Sequence, residues 1–389
     1  MQLTYSNLAN AFPTSIFSEL AQYKAKKVEE GADMIDLSIG SPDLPPPKWI
    51  RDELAKNVQD EAQYGYTLRG LAEFHQAAAH YVMEKFGVTI DAEREILQLM
   101  GSQDGLVHLP MVLAQANDVI LVPDPGYTAY EAGVKMAGAQ MVGMPLQKEN
   151  QFLPDLNAIP EDIAKRAKMM ILNFPGNPVP ALANRAFFEE VVAFAKKHNI
   201  VVVHDLAYAD LVFDGLKPIS ILEVSGAKDV SVEFHSLSKS FNMAGCRIGY
   251  LVGNEHIISM LGKLKSNLDY GVFAPIQKAA TLALKEGAQF LEENRLLYKG
   301  RRDVLVDGLH SIGWMVERPN ATMFVWAEVP TGYTSKEFAY TLIDKCGVVT
   351  TPGNAFGSYG EGFVRIALVQ SEERLQEAVE RIGNSRLFD

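Results

Sequence analysis

A lysine lies between hydroxyl groups in Ser236-Leu237-Ser238-Lys239, ahead of Asn242-Met243-Ala244-Gly245-Cys246-Arg247-Ile248-Gly249. A lysine amine whose pKa is lowered by burial or by neighbouring charge can form a Schiff base with an aldehyde cofactor. The serine hydroxyls and the guanidinium of Arg247 make up a donor set for a phosphate. Gly101-Ser102-Gln103-Asp104-Gly105 opens a helical stretch after an apolar run. A small-residue turn at a helix N-terminus offers free backbone N–H groups and a favourable dipole to the same kind of anion. Arg365, within Phe363-Val364-Arg365-Ile366, is a charge inside an apolar strand. Such a charge needs a partner or a ligand, and its planar fork grips a carboxylate at two points. Taken singly, these are ordinary features: a surface lysine, a helix-capping turn, a structural arginine.

Other chemistries are poorly represented. The glycine turn at 101–105 is neither a dinucleotide fingerprint nor a nucleoside-triphosphate loop. His75 and His80 stand about 140° apart around a helix and do not converge on a metal. Two cysteines, Cys246 and Cys346, make neither a four-cysteine site nor a disulfide framework, and no metal centre is expected. There is no G-x-S-x-G nucleophile turn. With 36 basic and 48 acidic side chains the net charge is −12, which argues against a nucleic-acid groove and against docking on anionic lipid. No apolar run is long enough to span a bilayer. The opening Met1–Leu20 lacks the charged and apolar regions of a signal peptide, so a cytoplasmic location is expected.

The elements that must position these residues follow from hydrophobic patterning. In 389 residues, 48% hydrophobic, short apolar runs at 95–100, 119–125, 140–146, 169–175, 200–205, 230–236 and 247–253 read as strands buried on both faces. Helical patterns at Gln103–Gln115, Thr128–Ala137 and Arg185–His198 lie between several of them. This alternation predicts an α/β sheet with ligands beyond the strands' carboxyl ends. After Gly253 come helical stretches at Glu255–Leu268 and Pro275–Leu309, strands at 324–330 and 363–369, and a closing helix Ser371–Ile382. Pro42-Asp43-Leu44-Pro45-Pro46-Pro47 reads as a passage from an arm into the main domain. The expected division is 1–45 for the arm and part of a small domain, 46–284 for the large domain, and 285–389 for the C-terminal small domain.

The lysine motif with Arg247 and Gly249 resembles the cofactor-lysine signature of the class I/II aminotransferases, fold-type I enzymes that use pyridoxal 5'-phosphate. The likeness runs from Ile39-Gly40-Ser41-Pro42 to Arg365, with the motifs in the family's order. It implies a large, mostly parallel α/β/α sheet domain and a smaller α+β domain built from both chain ends. It also implies an amino group passed from an amino acid to a 2-oxo acid, by ping-pong kinetics through pyridoxamine phosphate.

In this resemblance Lys239 is the covalent anchor and general acid/base. Asp205 keeps the pyridine nitrogen protonated, so that the ring withdraws electrons from the substrate carbanion. Tyr208 and Asn177 meet the phenolic oxygen, and Tyr127 stacks on the ring. The phosphate falls to Ser102, Gln103, Ser236, Ser238 and Arg247, and the substrate carboxylate to Gly40, Asn177 and Arg365. Tyr66 or Tyr64, with Tyr66 preferred, reaches a phosphate across a homodimer interface. The family's Asn-Pro-Thr-Gly is Asn177-Pro178-Val179-Pro180 here, a departure that removes no catalytic group and leaves the path of that loop open. The pattern is nearest the bacterial LL-diaminopimelate, aspartate and alanine aminotransferase branch. Asp269 or Tyr270 would suit an ω-amino substrate. His204 reads as a packed histidine. Two rival readings share the scaffold: a carbon–sulfur β-lyase, and a non-enzymatic cofactor-binding regulatory domain.

Overall fold

A computed structural model describes residues 3–12 and 15–388; residues 1–2 and 13–14 of the arm, and residue 389, lie outside the described part. Twelve strands are found among the described residues: β1 (Ile35–Asp36), β2 (Ile96–Leu99), β3 (Val119–Asp124), β4 (Gln140–Pro145), β5 (Ala167–Leu172), β6 (Val201–Asp205), β7 (Ser231–Ser236), β8 (Gly249–Gly253), β9 (Phe324–Glu328), β10 (Val348–Val349), β11 (Thr351–Pro352) and β12 (Phe363–Ala367). Seven form one sheet in the order β2-β8-β7-β6-β5-β3-β4. Every pair in it is parallel except those of β8, which runs against both β2 and β7. The carboxyl ends of β2, β3, β5, β6 and β7 therefore share one edge, and β8 starts from that same edge.

The near-continuous apolar runs of these strands follow from burial on both faces. Along β3, Leu121 joins a core with Phe74, Phe188 and Ala280. Its neighbours Ile120 and Val122 point the other way, into a core with Leu106, Tyr130 and Leu261. Helix Ala72–Phe86, helix Arg185–His198 and helix Ala274–Glu286 cover the first face; helix Ser102–Leu113, helix Thr128–Ala137 and helix Glu255–Lys265 cover the second.

A further apolar core joins the two ends of the chain. Ile35 and Leu37 pack with Leu305, Phe324, Phe338 and Leu375, beside the small sheets β1-β10 and β11-β12-β9. The stretch read as helical over Pro275–Leu309 is two helices, Ala274–Glu286 and Ala288–Ser311. They meet at Gly287, where any side chain would run into the Phe241 ring and the Ala283 carbonyl. The helix from Glu255 stops at Lys265, not Leu268. The proline-rich passage is held at Asp43, whose carboxylate takes both terminal nitrogens of Arg301 at 2.7 and 2.8 Å.

Candidate active site

The motifs singled out in the sequence stand at turns on the shared edge of the large sheet. β7 ends at Ser236, whose side chain accepts from the Ser238 N–H at 3.2 Å and caps a one-turn helix, Leu237–Ser240. That turn aims Lys239 into a cavity of about 420 Å³ lined also by Gly40, Ser102, Gln103, Tyr127, Asn177, Asp205, Tyr208, Ser236, Ser238 and Arg247. Lys239 Nζ donates to the Gly40 carbonyl at 2.5 Å and lies 6.0 Å from the centre of the Tyr208 ring. Burial first, then the guanidinium groups of Arg365 and Arg247, lower its pKa to about 8, against the opposing pull of Asp205.

Asp205 ends β6 and is buried. Its Oδ2 accepts from the Tyr130 hydroxyl at 2.8 Å, while among the described residues no side chain donates to its buried Oδ1. Burial raises its pKa, although the Tyr130 hydrogen bond works the other way. Asn173, after β5, donates to the Asp205 carbonyl at 2.7 Å, and its Oδ1 accepts from the Asn177 N–H at 2.8 Å. Asn173 thus binds the Asn177 turn to the strand end that carries Asp205. The Val179-Pro180 departure does not open this loop. Val179 is buried in the large core, and a side chain at Gly176 would collide with the carbonyls of Asn173 and Val179.

The candidate phosphate cradle draws on three adjacent strands. Gly101 follows β2 with φ +77°, and a side chain there would strike the Arg247 guanidinium. Gly249 opens β8, where a Cβ would come within 3.0 Å of the Ser102 nitrogen. These two glycines let Arg247 and the first turn of helix Ser102–Leu113 approach each other closely. Tyr127 donates to Gln103 Oε1 at 3.1 Å, which ties the ring expected to stack on the cofactor to this cradle.

Arg365 lies on β12, buried, its guanidinium 4.3 Å from the centre of the Phe324 ring and 4.8 Å from that of Phe356. Two aromatic faces hold a desolvated cation in place, at about 2 kcal/mol for such a contact. Its terminal nitrogens donate to Asn177 Oδ1 at 2.7 Å and to the Ser38 carbonyl at 2.6 Å, while Nε has no partner among the described residues. Burial lowers its pKa to about 10. Arg365 faces an adjoining cavity of about 360 Å³ that shares Gly40, Tyr127 and Asn177 with the first.

Some expected residues stand elsewhere. Tyr66 is 85% exposed and packs against Tyr270, ring centres 5.3 Å apart. Tyr64 is exposed too, its hydroxyl donating to the Val58 carbonyl at 2.7 Å. Neither lines the cavity. Asp269 does not present a free carboxylate to a substrate: it is ion-paired with Lys265 and accepts from the Gly271 N–H at 2.8 Å. His204 is a packed histidine, held by Glu233 at 2.9 Å and the Phe174 carbonyl at 3.0 Å. Burial alone would raise the Glu233 pKa, but hydrogen bonds from His204 and His235 hold it at about 2. Sequence reasoning missed Tyr130 as the partner of Asp205; its position one turn beyond Tyr127 on helix Thr128–Ala137 was the available signal.

This set of groups suits a phosphorylated aromatic aldehyde. It has a lysine of lowered pKa, a buried carboxylate with an oxygen left for a ring N–H, and a glycine-lined helix N-terminus beside an arginine. Among the described residues no cluster of metal-binding side chains occurs, and no helix is long and apolar enough to cross a membrane.

Comparison with known proteins agrees. The family model for aminotransferase class I and II matches residues 32–382. An LL-diaminopimelate aminotransferase of Moorella thermoacetica is 44% identical over 371 residues, 95% of either chain. Substrate-bound BacF of Bacillus subtilis superposes with a TM-score of 0.94 at 39% identity, covering 99% of this chain and 98% of that one. A probable N-succinyldiaminopimelate aminotransferase of Thermus thermophilus gives 0.91 at 37%, covering 95% and 100%. None of these three is named as a lyase. The chain belongs to the class I and II aminotransferases, and it is a pyridoxal 5'-phosphate-dependent transaminase of fold type I.

Proposed function

We propose that Lys239 is the anchor and proton carrier of this transaminase, and that its amino donor is an α-amino acid bearing a second polar head group, LL-diaminopimelate being the first to test. The observation that carries the reading is the convergence of Lys239 and Arg365 on adjoining cavities that share Gly40, Tyr127 and Asn177. When bound, pyridoxal 5'-phosphate supplies the electron-withdrawing ring that makes the substrate Cα–H acidic. Ser102, Gln103, Ser236, Ser238 and Arg247 would hold its phosphate. Tyr208 and Asn177 would meet its phenolic oxygen, Asp205 its ring nitrogen, and Tyr127 its face. Arg365 and Asn177, with the Gly40 backbone, bind and orient the substrate carboxylate, and Lys239 Nζ takes the proton from Cα.

The second head group is inferred from the cavity beyond Arg365. Among the described residues its other charged lining groups are Lys24 and Asp36, paired at 2.7 Å. Asp36 is also held by the N–H and hydroxyl of Ser38 at 2.9 and 2.6 Å. Among the described residues Lys24 has Asp36 as its single partner, so turning toward a distal carboxylate exchanges one carboxylate for another. The names of the diaminopimelate relatives support the same substrate class. In Lys24→Met, kcat/KM for LL-diaminopimelate is expected to fall about tenfold, as for a half-exposed charge contact, with alanine unaffected. Bleaching of the protein's visible band by each donor, and its return with a 2-oxo acid, ranks the substrates. Equal response to alanine and LL-diaminopimelate would remove the second head group from the reading.

The proposed assembly is a homodimer. Tyr64, Tyr66, Leu68, Leu268, Tyr270 and Phe273 are exposed, and an apolar patch of this kind supports a partner surface. Tyr66 is assigned to the partner's phosphate. Tyr66→Phe is expected to weaken cofactor retention about tenfold, as for one hydrogen bond to a charged group, with dimer mass unchanged in sedimentation. We also propose 1–45, 46–284 and 285–389 as functional divisions, in keeping with the helix break at Gly287. A cytoplasmic location is proposed, in keeping with two free cysteines.

A further inference from the structure

The one-turn helix that carries Lys239 is gripped from behind by polar groups that line neither substrate nor cofactor positions. Ser240 Oγ donates to Asp210 Oδ2 at 2.5 Å. Asp210, its side chain 7% exposed, also forms an ion pair with Lys85 and accepts from the Tyr81 hydroxyl at 2.5 Å. Tyr81 and Lys85 are one turn apart on helix Ala72–Phe86. From the opposite element, helix Ala288–Ser311, buried Asn294 donates through Nδ2 to the carbonyls of Lys239 at 3.2 Å and Ser240 at 3.4 Å.

These contacts answer a specific need. The last carbonyls of any helix lack partners within it, and a single turn supplies almost none. A four-residue helix does not hold its own shape. An ion pair such as Lys85–Asp210, buried at the carboxylate and partly exposed at the amine, adds little stability, because desolvation offsets much of the attraction. What such a pair does well is hold one geometry. Asp210 also belongs to the segment that carries Asp205 and Tyr208, so one stretch of chain touches both the ring-facing groups and the lysine turn.

We propose that Asp210 and Asn294 are positioning residues for Lys239, a two-sided clamp that holds the turn Leu237–Ser240 by the Ser240 hydroxyl and by the carbonyls of Lys239 and Ser240. This rests on the role given to Lys239 above. The clamp keeps Nζ against the Gly40 carbonyl. There the amine faces Asp205 and Tyr208 from the end of β6, Arg247 from the approach to β8, and Arg365 from β12. Releasing the turn lets the amine swing toward water, where its charged form is no longer penalised.

Ser240→Ala removes one side of the clamp with a change too small to unfold the protein, and Ser240→Thr restores the hydroxyl. On cofactor-free protein, acetylation of Lys239 followed by peptide mass spectrometry across pH reads the amine directly. The midpoint is expected at about 8 in the wild type, higher in Ser240→Ala, and restored in Ser240→Thr. In the loaded enzyme Ser240→Ala is expected to lower kcat about tenfold with KM within about twofold, as for a mispositioned catalytic group. Asn294→Leu should shift the same midpoint in the same direction. An unchanged midpoint in Ser240→Ala, or a Ser240→Thr variant as impaired as Ser240→Ala, overturns the clamp. Borohydride reduction of the wild type tests the underlying reading separately. Cofactor fixed to a lysine other than Lys239 refutes that reading, whereas cofactor on Lys239 with no effect of Ser240→Ala refutes the clamp alone.

Discussion

Lys239→Ala is expected to lower kcat by about 10⁴-fold or more, the scale of losing a group with the two roles proposed for it, general acid/base and covalent anchor. Among the described residues no other lysine lines this cavity, so no second amine stands in place of Nζ. The same residue sets a pH dependence. Burial and the guanidinium groups of Arg365 and Arg247 disfavour the ammonium form, bringing the pKa down to about 8. Only the neutral amine attacks an aldehyde, so capture of pyridoxal phosphate by the cofactor-free protein should accelerate as pH rises through about 8 and level off above it. Stopped-flow absorbance measures this. Acceleration that continues toward the ordinary lysine range would show that Nζ does not occupy the environment described.

Asp205→Asn is expected to cost about 10³-fold in kcat, the scale of removing one preorganised electrostatic partner. Asparagine keeps the size of the side chain and still accepts the Tyr130 hydroxyl, but it carries no charge. Burial raises the Asp205 pKa, and among the described residues no side chain donates to Oδ1. In the role proposed for it, the carboxylate would find its counterpart in a protonated ring nitrogen, which would pull its pKa back down. Because the substitution removes a buried charge, the melting temperature of the cofactor-free protein should hold or rise. A kcat within tenfold of the wild type would take Asp205 out of the chemistry.

The two outcomes are separable. Lys239→Ala should bind the cofactor without fixing it, since the groups proposed to hold the phosphate remain. Asp205→Asn should fix it and turn over slowly. Borohydride trapping followed by mass spectrometry distinguishes them.

Much of this site was legible in the amino-acid order. Strands buried on two faces show as unbroken apolar runs, and a polar residue ending such a run stands at the sheet edge. That logic placed Asp205 at the end of β6 and Ser236 at the end of β7, whereas Arg365 stood out as a charge in the middle of the run that forms β12. Helix Thr128–Ala137 and helix Arg185–His198 have the bounds their periodicity implied. The two-residue strands β1, β10 and β11 were not legible, because two residues carry no period. Nor was the break at Gly287, which arises from close approach to Phe241, a contact between distant segments.

Local order thus determined which residues end strands, which open helices and which bear reactive groups, since propensity and periodicity act over a few neighbouring positions. Only the tertiary structure decided which of them meet. The antiparallel insertion of β8 between β2 and β7 brings Arg247 beside Gly101 and Ser102. Phe324 and Phe356 close on Arg365, and Asn294 reaches back to the Lys239 carbonyl. Tyr66 is carried out to the surface. These pairings depend on strand order and on the packing of segments far apart in the chain, and no local pattern encodes either.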